Sequence, residues 1–312
     1  MALKILAGSA NLSLAEKIAA KLGVPLARRI LERFPDGELH IEIEESVRGD
    51  EVFLVQPTFP AVDEHFFELF LLADACRRAG AAHLTAVVPY FGYARQDRRA
   101  RGREPLSARV VADLLETTGV ERLLAVDLHS RAVESAFQIP VEHLSAVSQL
   151  TEAVRTSVDA DTVVVSPDLG AVKMAERYAK LLQLSVAIIH KTRLSGQEVS
   201  VERIVGDVRN KHVIVIDDMI STGGTIEKAI EALLKAGCSP SGIKVLATHG
   251  LLVGPAAERL GKLPIEKIYL SDSVPPPENF PIPLQYASMS SLLAEMIEKL
   301  HKKQTIATLI PS

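Results

Sequence analysis

The chain has 312 residues, which at about 150 per domain suggests two domains and a core able to fold without disulfide or metal support. Apolar residues make up 47% and aromatics only 4%, with no Trp, so the core is built from Ala, Val, Leu and Ile, a mix that favours buried parallel strands under helices. The 35 basic against 39 acidic side chains exclude a broadly cationic nucleic-acid binder, two cysteines exclude a disulfide framework or a four-cysteine zinc site, and no apolar run is long enough to span a membrane.

The opening residues Met1-Ala2-Leu3-Lys4-Ile5-Leu6 lack the pattern of a signal peptide, so a cytoplasmic setting is expected. In the first half, strands are expected at 51–56, 84–89 and 122–127, and helices at 14–22, 63–79 and 107–117. Ser13 is the expected cap of the first helix and Gly23 its stop. The second half repeats the plan, with strands at 162–166, 186–190, 212–216 and 243–248 and helices at 172–182 and 226–236. Strand-ending pairs correspond loosely: Val55-Gln56 with Val165-Ser166, Val88-Pro89 with Ile189-His190, Val126-Asp127 with Ile216-Asp217. Their offsets are unequal, so the pattern is a duplicated architecture and not a short-period repeat. The expected fold class is α/β, with similar domains over 1–146 and 147–312, each a mainly parallel sheet flanked by helices. Cys76 and Cys238 fall in helical windows as buried thiols. Residues 274–283 read as a Pro-rich surface turn. Leu292, Leu293, Met296, Ile297 and Leu300 share one face of a helix over 291–302 that docks on a domain.

The most informative segment is 213–228, VIVIDDMISTGGTIEK. A buried strand ends at Asp217-Asp218 and a helix is expected just after Thr225. Between them Ser221, Thr222, Gly223, Gly224 and Thr225 offer hydroxyls and unobstructed amides, a phosphate cradle at a helix N-terminus. Two adjacent carboxylates suit the vicinal hydroxyls of a sugar. GxxxxGK[ST] occurs nowhere, so the cradle is not a Walker loop. The plain alternative is an acidic strand end with an ordinary Gly-rich turn.

Five arginines crowd into residues 95–103 after a strand end. Guanidinium forks fit triphosphate oxygens; a solvated charged loop is the alternative. Pro35-Asp36-Gly37 is by itself a good turn. His129 follows Asp127 at one strand end, and Asp168 follows Ser166-Pro167 at another. Mg²⁺ prefers oxygen ligands, so a histidine partner is not what its chemistry selects. Lys191 and Arg193 lie just past the strand ending at His190, and residues 194–200 read as a hinged loop. Such a loop could close over a nucleotide and bring both cations to a transferring phosphoryl group. A solvated basic loop is again the alternative.

Residues 217–225 resemble the phosphoribosyl-diphosphate-binding loop of the phosphoribosyltransferase-like fold. The chain as a whole resembles the ribose-phosphate pyrophosphokinase family through Gly8-Ser-Ala-Asn, Arg33-Phe-Pro-Asp-Gly-Glu, Glu45-Ser-Val-Arg-Gly, Pro89-Tyr-Phe-Gly-Tyr-Ala-Arg-Gln-Asp-Arg, Asp127-Leu-His, Ser166-Pro-Asp-Leu-Gly and Thr248-His-Gly. The resemblance implies transfer of the β,γ-diphosphate of ATP to the C1 hydroxyl of ribose 5-phosphate. It implies ATP binding by Phe34, Asp36, Gly37, Glu38, Arg95, Gln96, Asp97 and His129, with Phe34, Asp36 and Glu38 reaching the adenine of a neighbouring subunit in a homohexamer. It further implies Mg²⁺ at His129 and Asp168, catalysis by Lys191 and Arg193, and ribose 5-phosphate on Arg193, Asp217, Asp218 and 221–225. A phosphoribosyltransferase would need one such domain and neither the 33–38 nor the 95–97 string. A non-catalytic associated subunit would show damage at Lys191, Arg193, His129 or Asp168.

The sequence also departs from the family pattern. Ser221 stands where many members have Asp, and Thr192 where many have Arg. At the family's regulatory site Ser46 and Arg48 match, but Gly80 and Ala307 replace common serines and Ile310 a common Phe. These departures imply weak inhibition by ADP and a relaxed dependence on free phosphate.

Overall fold

The computed structural model describes residues 1–99, 101–193 and 200–310, with residues 191–193 and 200–202 described by their backbone alone. The chain divides into two compact units. One comprises Met1–Ser145, Ser273–Pro275 and the segment from Ser288 onward; the other comprises Ala146–Asp272 and Pro276–Ala287.

The first unit opens with β1 (Leu3–Ala7) and α1 (Leu12–Leu22), then a hairpin of β2 (Arg29–Arg33) and β3 (Leu39–Ile43). β4 (Glu51–Val55), α2 (Val62–Arg78), β5 (His83–Val88), α3 (Ser107–Thr117), β6 (Arg122–Val126) and β7 (Val141–Leu144) follow. The sheet runs β1-β4-β5-β6-β7, all parallel. On the other side of β1, Leu26 makes a single parallel bridge to Ile5, and the Ala27 amide donates to Ile5 O at 2.8 Å. The central strands are nearly continuous apolar runs because both sheet faces are covered: Phe53, Leu54, Ala86, Val87, Leu123 and Leu124 are fully buried. Asn11, not Ser13, caps α1; its side chain accepts from the Leu14 amide at 3.2 Å, so the helix starts earlier than expected. Gly23 ends it at φ +69, as its freedom from a Cβ allows. Cys76 is buried in α2, and burial pushes its thiol up to about 12.

The second unit contains α4 (Val147–Val154), β8 (Thr162–Ser166), α5 (Val172–Leu182), β9 (Ser185–Arg193), β10 (Ser200–Val205) and β11 (His212–Ile220). α6 (Gly224–Lys235), β12 (Ile243–Gly250), α7 (Ala256–Gly261), β13 (Ile265–Ser271) and β14 (Leu284–Ala287) complete it. Its sheet order is β10-β9-β8-β11-β12-β13-β14, parallel except for the antiparallel β9–β10 pair. β9 continues past His190, where the apolar run ends, because β10 supplies a ladder partner: Lys191 lies opposite Glu202 and Arg193 opposite Ser200. Residues 194–199 of the expected hinged loop lie outside the described residues, as does Ala100 in the Arg-rich loop.

The last helix, α8 (Ser290–His301), follows β14 yet packs along α1 in the first unit. Leu293, Met296 and Ile297 are fully buried there, and His301 Nδ1 lies 2.7 Å from Glu51 Oε2 at the start of β4. Reciprocally, α4 follows β7 of the first unit but packs on α5, β13 and β14 of the second. The expectation that kept the terminal helix with 147–312 is therefore corrected: each unit is completed by the helix that follows the other unit's last strand.

Strand order also corrects the internal correspondence. β1, β4, β5, β6 and β7 match β8, β11, β12, β13 and β14, with the Leu26 bridge in the place of β9. Starts at Leu3, Glu51 and His83 thus recur at Thr162, His212 and Ile243, a nearly constant offset that the strand-ending dipeptides had obscured. In both units the crossovers diverge between the first strand and its parallel neighbour, β1 and β4 in one and β8 and β11 in the other, the topology that opens a crevice at the carboxyl ends.

In the first unit that position is filled. The Ser9 amide and hydroxyl donate to Glu68 Oε1 and Oε2, both at 2.6 Å, and the Ala10 amide donates to Gln56 Oε1 at 3.1 Å. Gln56 Nε2 lies 3.3 Å from His65 Nδ1, and a Cβ on Gly8 would sit 2.1 Å from Gln56 Oε1. Arg29 reaches the carbonyls of Ala7 and Gly8. Glu68 and Gln56 are almost wholly buried. Burial works to raise the Glu68 carboxyl, but hydrogen bonds from His65 and Ser9 outweigh it and hold the group below its ordinary 4.5. That stabilisation is present above pH 4.5 and is lost as pH falls through the lowered native value. Glu68→Gln should cost about 2 kcal/mol at neutral pH and flatten the loss of stability below about pH 4.5, as read by urea unfolding across pH.

Candidate active site

In the second unit the crevice lies at the carboxyl ends of β8 and β11, adjacent parallel strands whose chains leave in opposite directions, through α5 to β9 and through α6 to β12. Fully buried Val213–Ile216 anchor β11, and the polar pair Asp217-Asp218 follows at the sheet edge, each partly buried. The strand extends to Ile220, beyond the expected end at 216, because β12 continues beside it. Leu252 and Val253 amides then hold the Ile220 and Ser221 carbonyls at 2.9 and 3.0 Å.

Gly223 makes the turn into α6. Its φ is +77, which strains any side-chain-bearing residue, and a Cβ there would lie 3.0 Å from Leu260 Cγ, so the backbone favours glycine and the packing leaves little room for more. α6 starts at Gly224, earlier than expected, which brings Thr225 into the first turn with amides aimed out of the helix end. Arg259 on α7 adds a cation that sequence reading missed. Its Nη1 approaches Thr222 O at 3.4 Å and Thr222 Oγ1 at 3.5 Å, and its Nε lies 3.6 Å from Glu227.

Three carboxylates gather at this edge. Burial first, then the charge and hydrogen bond of Asp218 and the charge of Asp168, hold the Asp217 carboxyl well above the usual carboxylate range. Asp217 Oδ1 accepts from the Asp218 amide, and Asp218 Oδ1 from the Met219 amide, both at 2.9 Å. Asp168 follows β8 on an exposed turn; its Oδ1 accepts from Gly170 N at 2.8 Å and Ala171 N at 3.2 Å, while buried Ser166 donates its hydroxyl to Asp168 O at 2.7 Å. Hydroxyl donors or a cation arriving here would relieve the mutual repulsion. Among the described residues, no cluster of three or more His, Cys, Asp or Glu side chains is arranged to hold a metal ion unaided.

In the first unit, 95–97 follows β5 and His129 follows β6, neighbouring parallel strands, so both leave the same edge of the sheet. Gln96 is tied to α3: Ser107 Oγ donates to its Oε1 at 2.6 Å and Ala108 N to its carbonyl at 3.2 Å. Arg95 is exposed. Phe34, Asp36, Gly37 and Glu38 form the tip of the β2–β3 hairpin, closed by Phe34 N to Glu38 O at 2.8 Å, with Gly37 at φ +95. Phe34 is 48% exposed, its ring 5.1 Å from that of His40. The side chains of Lys191 and Arg193 lie outside the described residues; their backbone places them at the end of β9. Gly80 has φ +87, a backbone that favours glycine, and lies beside the flexible tip of Arg48, whose Nη1 would be 2.9 Å from a Cβ there.

Two α/β units of one topology, one of them ending a strand in paired carboxylates and a glycine-capped helix, define a phosphoribosyltransferase-like protein. Residues 3–119 match the N-terminal domain of ribose phosphate pyrophosphokinase, and 141–264 match the phosphoribosyl transferase domain. A ribose-phosphate pyrophosphokinase of Staphylococcus saprophyticus is 40% identical over 99% of this chain and 97% of its own, and one of Thermotoga maritima is 41% identical over 98% of each. The crystal structure of phosphoribosylpyrophosphate synthetase from Mycobacterium smegmatis is similar with a TM-score of 0.89 at 38% identity, covering 97% of this chain and 100% of that one. The chain belongs to the ribose-phosphate pyrophosphokinase family of enzymes.

A phosphate ligand held at this turn, with ribose 5-phosphate as the probe, should bind at least about tenfold more weakly in Gly223→Ala by calorimetry, since the new methyl strains the left-handed turn. Gly237→Ala, equally left-handed at φ +88 but past the far end of α6, should leave binding unchanged.

Proposed function

We propose that the protein is a ribose-phosphate diphosphokinase that moves the β,γ-diphosphate of ATP onto the C1 hydroxyl of ribose 5-phosphate and releases AMP. The observation that carries this reading is the β11–α6 segment: paired carboxylates at a strand end followed by a cradle whose left-handed turn favours glycine. Asp217 and Asp218 accept hydrogen bonds from the ribose hydroxyls, which relieves the crowding of carboxylates around Asp217. Ser221, Thr222, Gly223, Gly224 and Thr225 take the 5-phosphate on amides and hydroxyls, with the Arg259 guanidinium beside them.

ATP is assigned to Arg95, Gln96, Asp97 and His129. Phe34, Asp36, Gly37 and Glu38 are assigned to the adenine of a neighbouring subunit in a homohexamer, a role that suits an exposed aromatic ring at a hairpin tip. Asp168 and His129 are the proposed Mg²⁺ ligands. The structure fits a cation held by few protein groups: Asp168 offers a carboxylate oxygen at an exposed turn, and phosphates and water would complete the shell. When bound, Mg²⁺ neutralises charge on the triphosphate oxygens.

The C1 oxygen attacks the β-phosphorus in line and loses its proton to water; the new C1–O–Pβ bond forms as the bond from Pβ to the AMP oxygen breaks. Positioning and charge stabilisation carry such transfers, so no strong general base is assigned. Lys191 and Arg193 stabilise the charge that develops on the transferring group, and Arg193 also contacts the sugar phosphate. No helix among the described residues is long and apolar enough to cross a membrane, and a cytoplasmic biosynthetic setting suits both substrates.

AMP release from ATP should depend strictly on added ribose 5-phosphate; sugar-independent AMP would reject this reading. Arg193→Ala should lower turnover about 10³–10⁵-fold, equivalent to roughly 4–7 kcal/mol of barrier, with little change in melting temperature. Near-normal turnover would remove Arg193 from the mechanism.

A further inference from the structure

The turn that carries His129 leaves β6 through a strained residue. Asp127 is buried and has φ +39, a left-handed conformation unusual for a residue with a side chain. Two bonds from β7 hold this turn. The Asp127 amide donates to Leu144 O at 2.9 Å, and the Leu128 amide donates to His143 Nε2 at 3.0 Å. A backbone N–H can only donate, so Nε2 must present its lone pair and the ring proton must sit on Nδ1. Nδ1 in turn lies 2.9 Å from Glu134 Oε1, a carboxylate placed to accept that proton.

Glu134 belongs to the short 3₁₀ turn Arg131–Ala136, directly after His129, which begins where Ser130 Oγ accepts from Ala132 N at 3.1 Å. The relay Glu134–His143–Leu128 therefore grips the chain on both sides of His129. The His143 side chain is 13% exposed, which leaves little room for water to replace its acceptor.

We propose that His143 is a positioning residue for the ATP site: Glu134 holds its Nδ1–H tautomer, and its Nε2 fixes the Leu128 amide and so the turn that presents His129. A histidine that merely packed would need no particular tautomer and no partner of defined chemistry. The inference rests on the assignment of His129 to the ATP site, and its test separates the two.

The test measures binding of a non-hydrolysable ATP analogue by calorimetry in full-length His129→Ala, His143→Leu and His143→Gln, with melting temperatures alongside. It also records imidazole ¹⁵N signals of the unliganded wild-type protein. Expected are a bare Nε2 and protonated Nδ1 at His143, about tenfold weaker binding in His143→Leu, and recovery to within about threefold in His143→Gln, whose Oε1 can stand in for Nε2. The nitrogen signals do not depend on any variant folding. A protonated Nε2 in the wild type overturns the proposal, as does equal loss in the Leu and Gln variants. Wild-type binding in His143→Leu beside a weakened His129→Ala overturns it while sparing the ATP-site assignment; wild-type binding in His129→Ala removes both.

Discussion

A parallel sheet opens a crevice between two adjacent strands where its crossovers part company, and in the second unit that place is the β8–β11 pair. The rest of the site follows from this constraint. Four buried aliphatic residues of β11 deliver Asp217 to the edge, where burial and the neighbouring Asp218 and Asp168 make its ionisation costly. Such an arrangement is unfavourable by itself and becomes favourable when hydroxyl donors or a cation share the space. The same strand runs on into a turn beside Leu260 whose left-handed backbone favours glycine, so the helix amides stay open to a phosphate. The paired carboxylates and the open helix amides, the groups proposed for a sugar and its phosphate, are thus fixed by one continuous piece of chain.

The first unit shares the topology and uses its crevice differently. Glu68 and Gln56 occupy the amides of Ser9 and Ala10 that a ligand would otherwise meet, and the buried carboxylate is compensated by His65 and Arg29. Duplication has left two sheets of one plan, with the counterpart position internally satisfied in one of them. The groups proposed for ATP instead leave the later strands β5 and β6 and the hairpin tip. The placement of α8 adds a further consequence: the first unit completes its helix layer with a segment that follows the second unit in the chain, whereas α4 belongs to the second unit's own contiguous stretch.

Much of the site was legible in the sequence because it is local. Asp217, Asp218 and 221–225 form one string, and strand, turn and helix signals flank it in order. Arg259 was hidden because it reaches Thr222 from a separate short helix, and no local pattern links the two. The end of β9 was misplaced because Lys191, Thr192 and Arg193 are polar, while the antiparallel partner that keeps them in the ladder comes from a later segment. The apolar face of α8 announced a buried helix, but amphipathic spacing says nothing of which unit buries it. Ser13 and Asn11 are both good caps, and only the geometry of the turn after β1 selects Asn11. His143 carries no signal in the sequence because its partners, Leu128 and Glu134, are joined to it only by folding.

The central claim is that a sugar held on the Asp217 strand end attacks the middle phosphorus of ATP. Phosphorus NMR of a reaction of ATP with ribose 5-phosphate tests it most directly. AMP and a C1-linked diphosphate ester of ribose 5-phosphate should appear in equal amounts. ADP together with a ribose bisphosphate would show attack at the terminal phosphorus and contradict it.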